Sequence, residues 1–291
     1  MKLFWILVVA AVMNGCMYVS GSAEGESSMH ATAIDVGQGL AVLFEYGGRY
    51  AMYDFGPDSV GVVDSLLARG VDTLDWVVLS HNHRDHIGGF LELAGRGVFV
   101  RRLYVGPDTA GGFYRDSVLR VARTLGTPVD TLLRGKNVSF GGGGNGSAGG
   151  ECVLGECARF EVLWPASYLR VGENHASVVL LGKFGASKML LTGDLDSVGE
   201  RHLLEMNPTL SAELLQVAHH GSAGSNTLSF LSQVSPKYAF VSVGAGNGYG
   251  HPAPSVVRKL NLVLGDSTKL YRTDLQGSIR FELSPSMGVL H

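Results

Sequence analysis

Hydrophobic and polar positions alternate in short runs along much of the chain, a period of two that is typical of half-buried β-strands. Between these runs, apolar residues recur every three to four positions, as they do on one face of a helix. The alternating runs predict strands over Ala31–Val36, Leu40–Tyr46, Arg49–Asp54, Trp76–Ser80, Val98–Val105, Arg159–Leu163, Ser177–Phe184, Lys188–Leu191, Leu214–Val217, Tyr238–Val243, Lys269–Tyr271 and Ser278–Leu283. Helices are predicted over residues 59–69, from the segment after Ser80 to about Ala94, and over Phe113–Leu125, Ser197–Met206, Ser225–Val234 and Ala253–Leu264.

The order of these elements indicates the fold class. Strands alternate with helices in two similar halves, which predicts an α/β domain of two packed sheets with helices outside them. Residues 141–150 consist only of Gly, Asn, Ser and Ala, and we expect an inserted surface loop there.

The first residues resemble an export signal. Lys2 precedes an apolar stretch over residues 3–13, which is shorter than the ~20 residues that span a bilayer and is typical of a signal peptide. We assign residues 1–23 to a signal peptide and tether, and residues 29–291 to the folded domain. Cleavage before Cys16, which we favour, would give a lipid anchor, and cleavage before Glu24 is the alternative. We therefore expect an exported protein, periplasmic or extracellular.

Composition narrows the choice of function. The net charge is −3 and charged residues make up 17% of the chain, so no strong basic field attracts it to nucleic acid. No later apolar run has the length of a membrane span, and we expect no role in transmembrane transport. In an oxidising compartment we expect Cys152 and Cys157 to form a local disulfide.

The strongest chemical signal is the motif His81-x-His83-x-Asp85-His86, which directly follows the predicted strand Trp76–Ser80. An extended segment points His81 and His83 to the same side, and Asp85 and His86 then turn towards a second position. Three imidazoles and a carboxylate suit a transition metal such as Zn²⁺.

Further metal-binding residue types occur at the ends of later elements. They are Asn174-His175, Thr192-Gly193-Asp194, His219-His220-Gly221-Ser222 and Gly250-His251-Pro252. Since ligands of α/β proteins gather where strands end, we expect these groups to form one site.

The chain resembles the metallo-β-lactamase-fold hydrolases, whose signature the His81–His86 motif matches. The segments Asp35-Val36-Gly37-Gln38-Gly39, Asp54-Phe55-Gly56, Ser177–Leu180 and Asn247-x-Tyr249-Gly250-His251-Pro252 are similar to one branch. That branch is the hydrolase domain of ComEC-type DNA-uptake competence proteins, together with its secreted stand-alone relatives. The chain departs from it at Leu40, where an acidic or small residue is usual, and at His175, where Asn is common.

The resemblance implies a four-layer αββα sandwich with two divalent metal ions, Zn²⁺ first and Mn²⁺ as the alternative. One ion would be held by His81, His83, His175 and Asp194, and the other by Asp85, His86, Asp194 and one of His219 or His220. We favour His220 as the ligand and His219 as the residue that faces the substrate, because adjacent side chains of an extended pair after a strand point to opposite sides. Asp194 would bridge the two, and Asp35 and Asp54 would orient the histidine ligands. A hydroxide between the ions would attack the substrate, with Asp85, His219 and His251 as catalytic residues.

The substrate expected from this resemblance is a phosphodiester, in DNA, RNA or a small molecule, and we expect no protein partner. A β-lactamase-like amide or ester hydrolase is one alternative, although such enzymes generally lack a residue equivalent to Asp194. A diiron oxidase is disfavoured because it would carry Glu in place of His83. A non-catalytic surface-binding lipoprotein is disfavoured by the complete ligand set.

Overall fold

A computed structural model describes residues 28–140, 158–169 and 174–284, and the backbone of residues 288–290. The predicted signal segment with Cys16, the glycine-rich loop and the Cys152–Cys157 pair lie outside the described residues. These expectations, and the domain boundaries that go with them, stay predictions.

The strands are β1 to β17, in chain order Met29–Ala33, Val42–Tyr46, Arg49–Tyr53, Thr73–Leu74, Trp76–Leu79, Phe99–Val100, Leu103–Val105, Val129–Thr131, Asn137–Ser139, Arg159–Trp164, Val179–Phe184, Ser187–Leu191, Leu214–Gln216, Tyr238–Val241, Leu270–Arg272, Ile279–Ser284 and Gly288–Leu290. The helices are α1 to α7, in chain order Val62–Ala68, Arg84–Ile87, Phe113–Thr124, Ser197–Met206, Leu228–Val234, Pro254–Leu264 and Thr273–Gln276. Short 3₁₀ segments lie at Gly88–Leu93, Asn174–Ala176, Ala218–Gly221 and Ser267–Lys269.

The described strands form two large sheets and a small one. The first has eight strands in the order β17-β16-β1-β2-β3-β5-β7-β8, and the second has seven in the order β15-β14-β13-β12-β11-β10-β9. Strands β3, β5 and β7 run parallel, as do β12, β13 and β14. Parallel neighbours end at the same edge of a sheet, so the loops that carry the histidine motifs start from shared edges.

Three apolar clusters define four layers. The central cluster joins the facing sides of the two sheets and contains Phe44, Trp76, Phe160 and Phe240. A second cluster packs the outer side of the first sheet against α1 and α3, and a third packs the second sheet against α4, α5 and α6. The αββα sandwich expected from the sequence is confirmed.

Most predicted elements occur within one to three residues of their predicted bounds, and the differences have local causes. Val98–Val105 is two short strands, Phe99–Val100 and Leu103–Val105, which belong to different sheets. Helix α2 ends at Ile87 and continues as a 3₁₀ segment, whose first residues, Gly88 and Gly89, lie against the backbone of Pro57 and Phe55. Within the described ranges, no helix has the length and apolar character needed to cross a bilayer.

Candidate metal centre

The histidine motifs meet at one edge of the sandwich because the strands before them end there. His81 and the residues of α2 follow β5 of the first sheet, whereas Asp194 follows β12 and the pair His219 and His220 follows β13 of the second sheet. Side chains from both sheets therefore face each other across the end of the central core.

Four side chains form a tight cluster. Ligand atoms of Asp85, His86, Asp194 and His220 all lie within 4.8 Å of one another. Asp194 Oδ1 is 3.0 Å from His86 Nε2 and 3.6 Å from His220 Nε2, and Asp85 Oδ2 is 3.2 Å from His220 Nε2. The carboxylates and rings are close enough for one cation to contact all four residues.

Hydrogen bonds fix which nitrogen of each clustered ring bears the proton. His220 Nδ1 lies 2.8 Å from the carbonyl oxygen of Ser242, and a carbonyl can only accept, so this nitrogen donates. His86 Nδ1 likewise lies 2.7 Å from Asp54 Oδ2. In the neutral rings the lone pairs are thus on the two Nε2 atoms, which are 3.3 Å apart. Two lone pairs directed at one point are typical of a metal site.

Ser80 extends the same arrangement to His81. The Ser80 hydroxyl donates to Asp54 Oδ2 at 2.7 Å, and its oxygen lies 3.0 Å from His81 Nδ1. Because the single hydroxyl proton is used on Asp54, Ser80 accepts from His81 Nδ1, which leaves the lone pair on His81 Nε2. One buried carboxylate therefore sets the orientation of two histidine rings.

Nine buried side-chain atoms of the described residues have no hydrogen-bond partner, and two of them lie at the cluster. These two are His81 Nε2 and Asp194 Oδ1, and His81 Nε2 is 3.9 Å from Asp194 Oδ2. Most buried polar groups in proteins are paired, and these two lie on facing side chains at the cluster, so a ligand that accepts electron pairs would satisfy both. A divalent transition metal meets that requirement, and the nitrogen and carboxylate donor set fits it.

Charges within the cluster are strongly coupled. Burial alone would raise the pKa of Asp194, but the rings of His86 and His220 outweigh it and hold this pKa well below its ordinary value. Burial would lower the pKa of His86, but Asp194 and Asp54 raise it well above the ordinary value. In the metal-free chain, protons on the rings thus balance the carboxylates, and a bound cation displaces them.

His219 and His220 lie in an unusual backbone conformation. Both have a φ of 52°, in the left-handed region that residues with a side chain rarely adopt. The prediction that the pair is extended, with its rings on opposite sides, is therefore wrong. The Asn226 side chain bonds both backbone groups of Ala218, at 3.0 and 2.9 Å, and the Gly193 carbonyl accepts from His219 N. These bonds hold the strained turn.

His219 and His251 lie at the rim of the cluster. His219 Nε2 is 3.6 Å from Asp194 Oδ2, and the Asn174 amide lies 3.1 Å from its Nδ1. The His251 ring meets the His219 ring at a centroid distance of 5.8 Å. Burial lowers the pKa of His219, and burial followed by the charge of His219 lowers that of His251. Both rings are therefore neutral near pH 7 and can donate or accept a hydrogen bond.

Three other candidate residues, His83, His175 and Asp35, are not among the four residues of the tight cluster. The His83 ring lies 4.5 Å from the His81 ring, and His175 Nδ1 lies 3.6 Å from Asp196 Oδ2 at the start of α4. The indole Nε1 of Trp164 donates to the His175 carbonyl at 2.5 Å. Asp35 accepts from Gly37 N in an exposed turn, so its role differs from that of Asp54.

Sequence reasoning missed several buried polar residues that position the site. Gln216 accepts from the backbone N–H groups of Thr192 and Gly193 at 2.7 and 2.8 Å, and donates to the carbonyls of Gly193 and Val217. It thereby fixes the turn that carries Asp194. Its only sequence signal is a polar residue at an inward position of a buried strand.

The comparisons with known proteins agree with this geometry. A model of the metallo-beta-lactamase superfamily matches residues 34–245. The chain belongs to this superfamily. It is thus a member of a superfamily of metal-dependent hydrolases, and its His/Asp cluster is consistent with a divalent metal.

Two curated relatives confirm the resemblance to competence proteins. The chain is 30% identical to ComE operon protein 3 of Bacillus subtilis (strain 168), over 94% of this chain and 35% of that protein. It is 33% identical to competence protein ComA of Neisseria gonorrhoeae, over 96% of this chain and 35% of that protein. The chain therefore spans about a third of the length of these relatives.

A solved structure supports the fold. The metallo-beta-lactamase fold protein YhfI from Bacillus subtilis aligns with a TM-score of 0.54 and 14% sequence identity. The alignment covers 88% of this chain and 99% of that one.

Proposed function

We propose that this chain is an exported, dinuclear metal-dependent phosphodiesterase. The observation that carries the proposal is the convergence of the lone pairs of His81, His86 and His220 on Asp194, beside unpartnered buried atoms. When bound, two divalent ions at such a site supply an activated water and neutralise charge on phosphate oxygens.

Two ligand sets belong to the proposal. Asp85, His86, Asp194 and His220 hold one ion, which their mutual approach within 4.8 Å supports. His81, His83, His175 and Asp194 hold the other, which the 3.9 Å between His81 Nε2 and Asp194 Oδ2 supports. We infer Zn²⁺ first and Mn²⁺ second, because imidazole-rich sites suit Zn²⁺.

The protein's own groups then orient the substrate and move protons. Asp85, about one third exposed next to the buried ligands, accepts a hydrogen bond from the nucleophilic water and aligns it. His219 donates to a phosphoryl oxygen, since its ring faces both Asp194 and the open rim. His251, behind His219, donates a hydrogen bond to the leaving oxygen, which takes its proton from solvent water.

The test of this function is hydrolysis by the purified protein supplied with Zn²⁺ or Mn²⁺. We expect cleavage of single-stranded DNA, RNA or bis-p-nitrophenyl phosphate, its loss on chelation and its return with added metal. Asp194→Asn abolishes turnover, whereas Asp266→Asn, which changes an exposed turn-capping carboxylate, retains it. The proposal is contradicted if elemental analysis finds no bound metal after Zn²⁺ or Mn²⁺ is supplied. It is also contradicted if the metal-loaded protein does not cleave phosphodiesters.

Export has an independent test. We expect the mature chain to begin at Cys16, carrying lipid, or at Glu24, with Cys152 and Cys157 joined as a disulfide. Intact mass measured before and after reduction and alkylation reports both features. A chain that retains Met1 and free thiols contradicts export.

A further inference from the structure

The rim of the metal centre carries an exposed aromatic ring. Tyr249 is 73% exposed, yet its ring stacks on that of His251, with centroids 5.7 Å apart and an interplanar angle of 24°. The His251 ring in turn meets His219, which lies beside Asp194. A line of rings thus leads from the cluster to the surface and ends in a Tyr with one face open to solvent.

The loop that presents this ring is held in place by one side chain. Asn247 donates to the carbonyls of Gly244 and His251, at 3.0 and 2.6 Å, and accepts from the backbone N–H groups of Tyr249 and His251, at 3.1 and 3.0 Å. Because the backbone is held on both sides of Tyr249 and its ring stacks on that of His251, the Tyr249 side chain loses less conformational entropy when a ligand stacks on it.

Four arginines that the sequence offers for binding a polyanion are paired with carboxylates. Arg84, Arg101 and Arg115 each lie beside a carboxylate, that of Asp58, Asp75 and Asp116 respectively. Arg102 lies beside Asp130. These pairs offset the positive charge that would attract a phosphate backbone, so the four arginines add little to the binding of a polyanion.

We propose that Tyr249 is a stacking platform for a nucleobase attached to the phosphate at the metal centre. This inference rests on the proposed phosphodiesterase function and makes nucleotides and single-stranded nucleic acid its substrate class. Stacking suits such substrates because every base has an aromatic face, and each stacked base contributes an interaction that does not depend on sequence.

Binding of two unreactive ligands separates this inference from the hydrolytic function. Thymidine 5′-monophosphate and 2-deoxyribose 5-phosphate share a sugar phosphate, but only the first has a base, and neither has a phosphodiester bond. Calorimetric titration of the full Zn²⁺-loaded chain is expected to give at least about fivefold tighter binding of the nucleotide, the lower end of the range for one stacked base.

Variants assign the preference to Tyr249. Tyr249→Ala is expected to remove the tighter binding of the nucleotide and to leave the affinity for 2-deoxyribose 5-phosphate unchanged. Tyr249→Phe is expected to keep the tighter binding, because the ring remains. The matched control is Phe99→Ala, which removes another exposed ring, in β6 next to Arg101. Equal affinities for the two ligands in the wild-type chain, or a preference that persists in Tyr249→Ala, overturn the inference. Cleavage of a phosphodiester is measured separately, so loss of that activity alone leaves the base preference intact.

Discussion

At the scale of single residues, the site depends on the hydrogen bonds behind its histidines. Asp54 bonds the Nδ1 atom of His86 directly and reaches His81 through the Ser80 hydroxyl. Sequence reasoning named Asp35 and Asp54 together as groups that orient histidines, and only Asp54 contacts a ring. The two residues therefore form a matched pair for mutation.

Asp54→Asn is expected to weaken metal binding by about 10- to 100-fold, the range for losing a carboxylate behind a metal-bound histidine. The amide keeps the shape of the carboxylate but gives His86 Nδ1 a neutral acceptor. Competition with a chromophoric chelator measures the affinity. Asp35→Asn changes an exposed turn and leaves the affinity unaltered. Equal affinities in the two variants would contradict the role of Asp54.

The adjacent residues His219 and His220 have different environments, so their mutation is expected to affect metal binding and turnover differently. His220 is buried with Nδ1 on the Ser242 carbonyl and Nε2 in the cluster, whereas His219 is about a quarter exposed at the rim. We expect His220→Ala to lose one metal ion and turnover. His219→Ala is expected to keep both ions and to lose mainly kcat. Metal content and steady-state kinetics distinguish them, and the reverse pattern would show that their roles are exchanged.

At the scale of elements, Gln216 connects two ligand-bearing turns. Its carboxamide bonds the Thr192–Gly193 turn at the end of β12, and its own backbone belongs to β13, which leads to His219 and His220. The positions of ligands after these two strands are thus tied to each other. This coupling acts through four buried backbone groups rather than through the ligands themselves.

Gln216→Leu is expected to lower the free energy of unfolding by about 2 kcal/mol or more, because the buried N–H groups of Thr192 and Gly193 lose their acceptor. Urea unfolding of the metal-free protein measures this. Gln233→Leu is the control, since the Gln233 amide bonds the carbonyl of Pro208 at an exposed position, and a change below about 0.5 kcal/mol is expected. Similar losses in both variants would exclude a special role for Gln216.

The sequence predicted the elements that have a long hydrophobic pattern. It also predicted the ligand candidates that stand close together in one motif, as in His81–His86. The helix Ser197–Met206 has its predicted bounds, since Asp196 caps its first N–H groups. The strands Val129–Thr131 and Asn137–Ser139 were missed because each has a single apolar residue and shows no hydrophobic pattern. The left-handed His219–His220 turn was also missed, because it depends on Asn226, which is distant from strand β13 and has no pattern of its own.

At the scale of the whole molecule, the ligands come from both sheets. Asp85 and His86 follow β5 of the first sheet, whereas Asp194 and His220 follow strands of the second. A metal ion at this cluster would join the two halves of the sandwich where the central apolar core ends. Unfolding must therefore release the metal, which links stability to metal concentration.

Chelation is expected to lower Tm by about 5 °C relative to protein held at 100 times the metal Kd, since binding there contributes about 2.7 kcal/mol. Differential scanning calorimetry at several Zn²⁺ concentrations measures the effect. His220→Ala supplies the control because it removes a ligand, and its Tm is expected to depend much less on metal. A wild-type Tm that is independent of metal would contradict this linkage.

The position of Trp164 gives the protein an optical reporter. The chain has three tryptophans, and only Trp76 and Trp164 follow the predicted signal segment. Trp76 lies in the core between the sheets, whereas the Trp164 indole holds the His175 carbonyl and stacks on His202. The fluorescence emission of an indole depends on its surroundings, so binding of an ion at His175 is expected to change the emission of Trp164. The emission of Trp76, which is buried in the core, is expected to stay the same as long as the protein is folded. A Trp76→Phe variant would leave a single fluorophore beside His175, and filling of this half of the site could be followed in real time without an added dye.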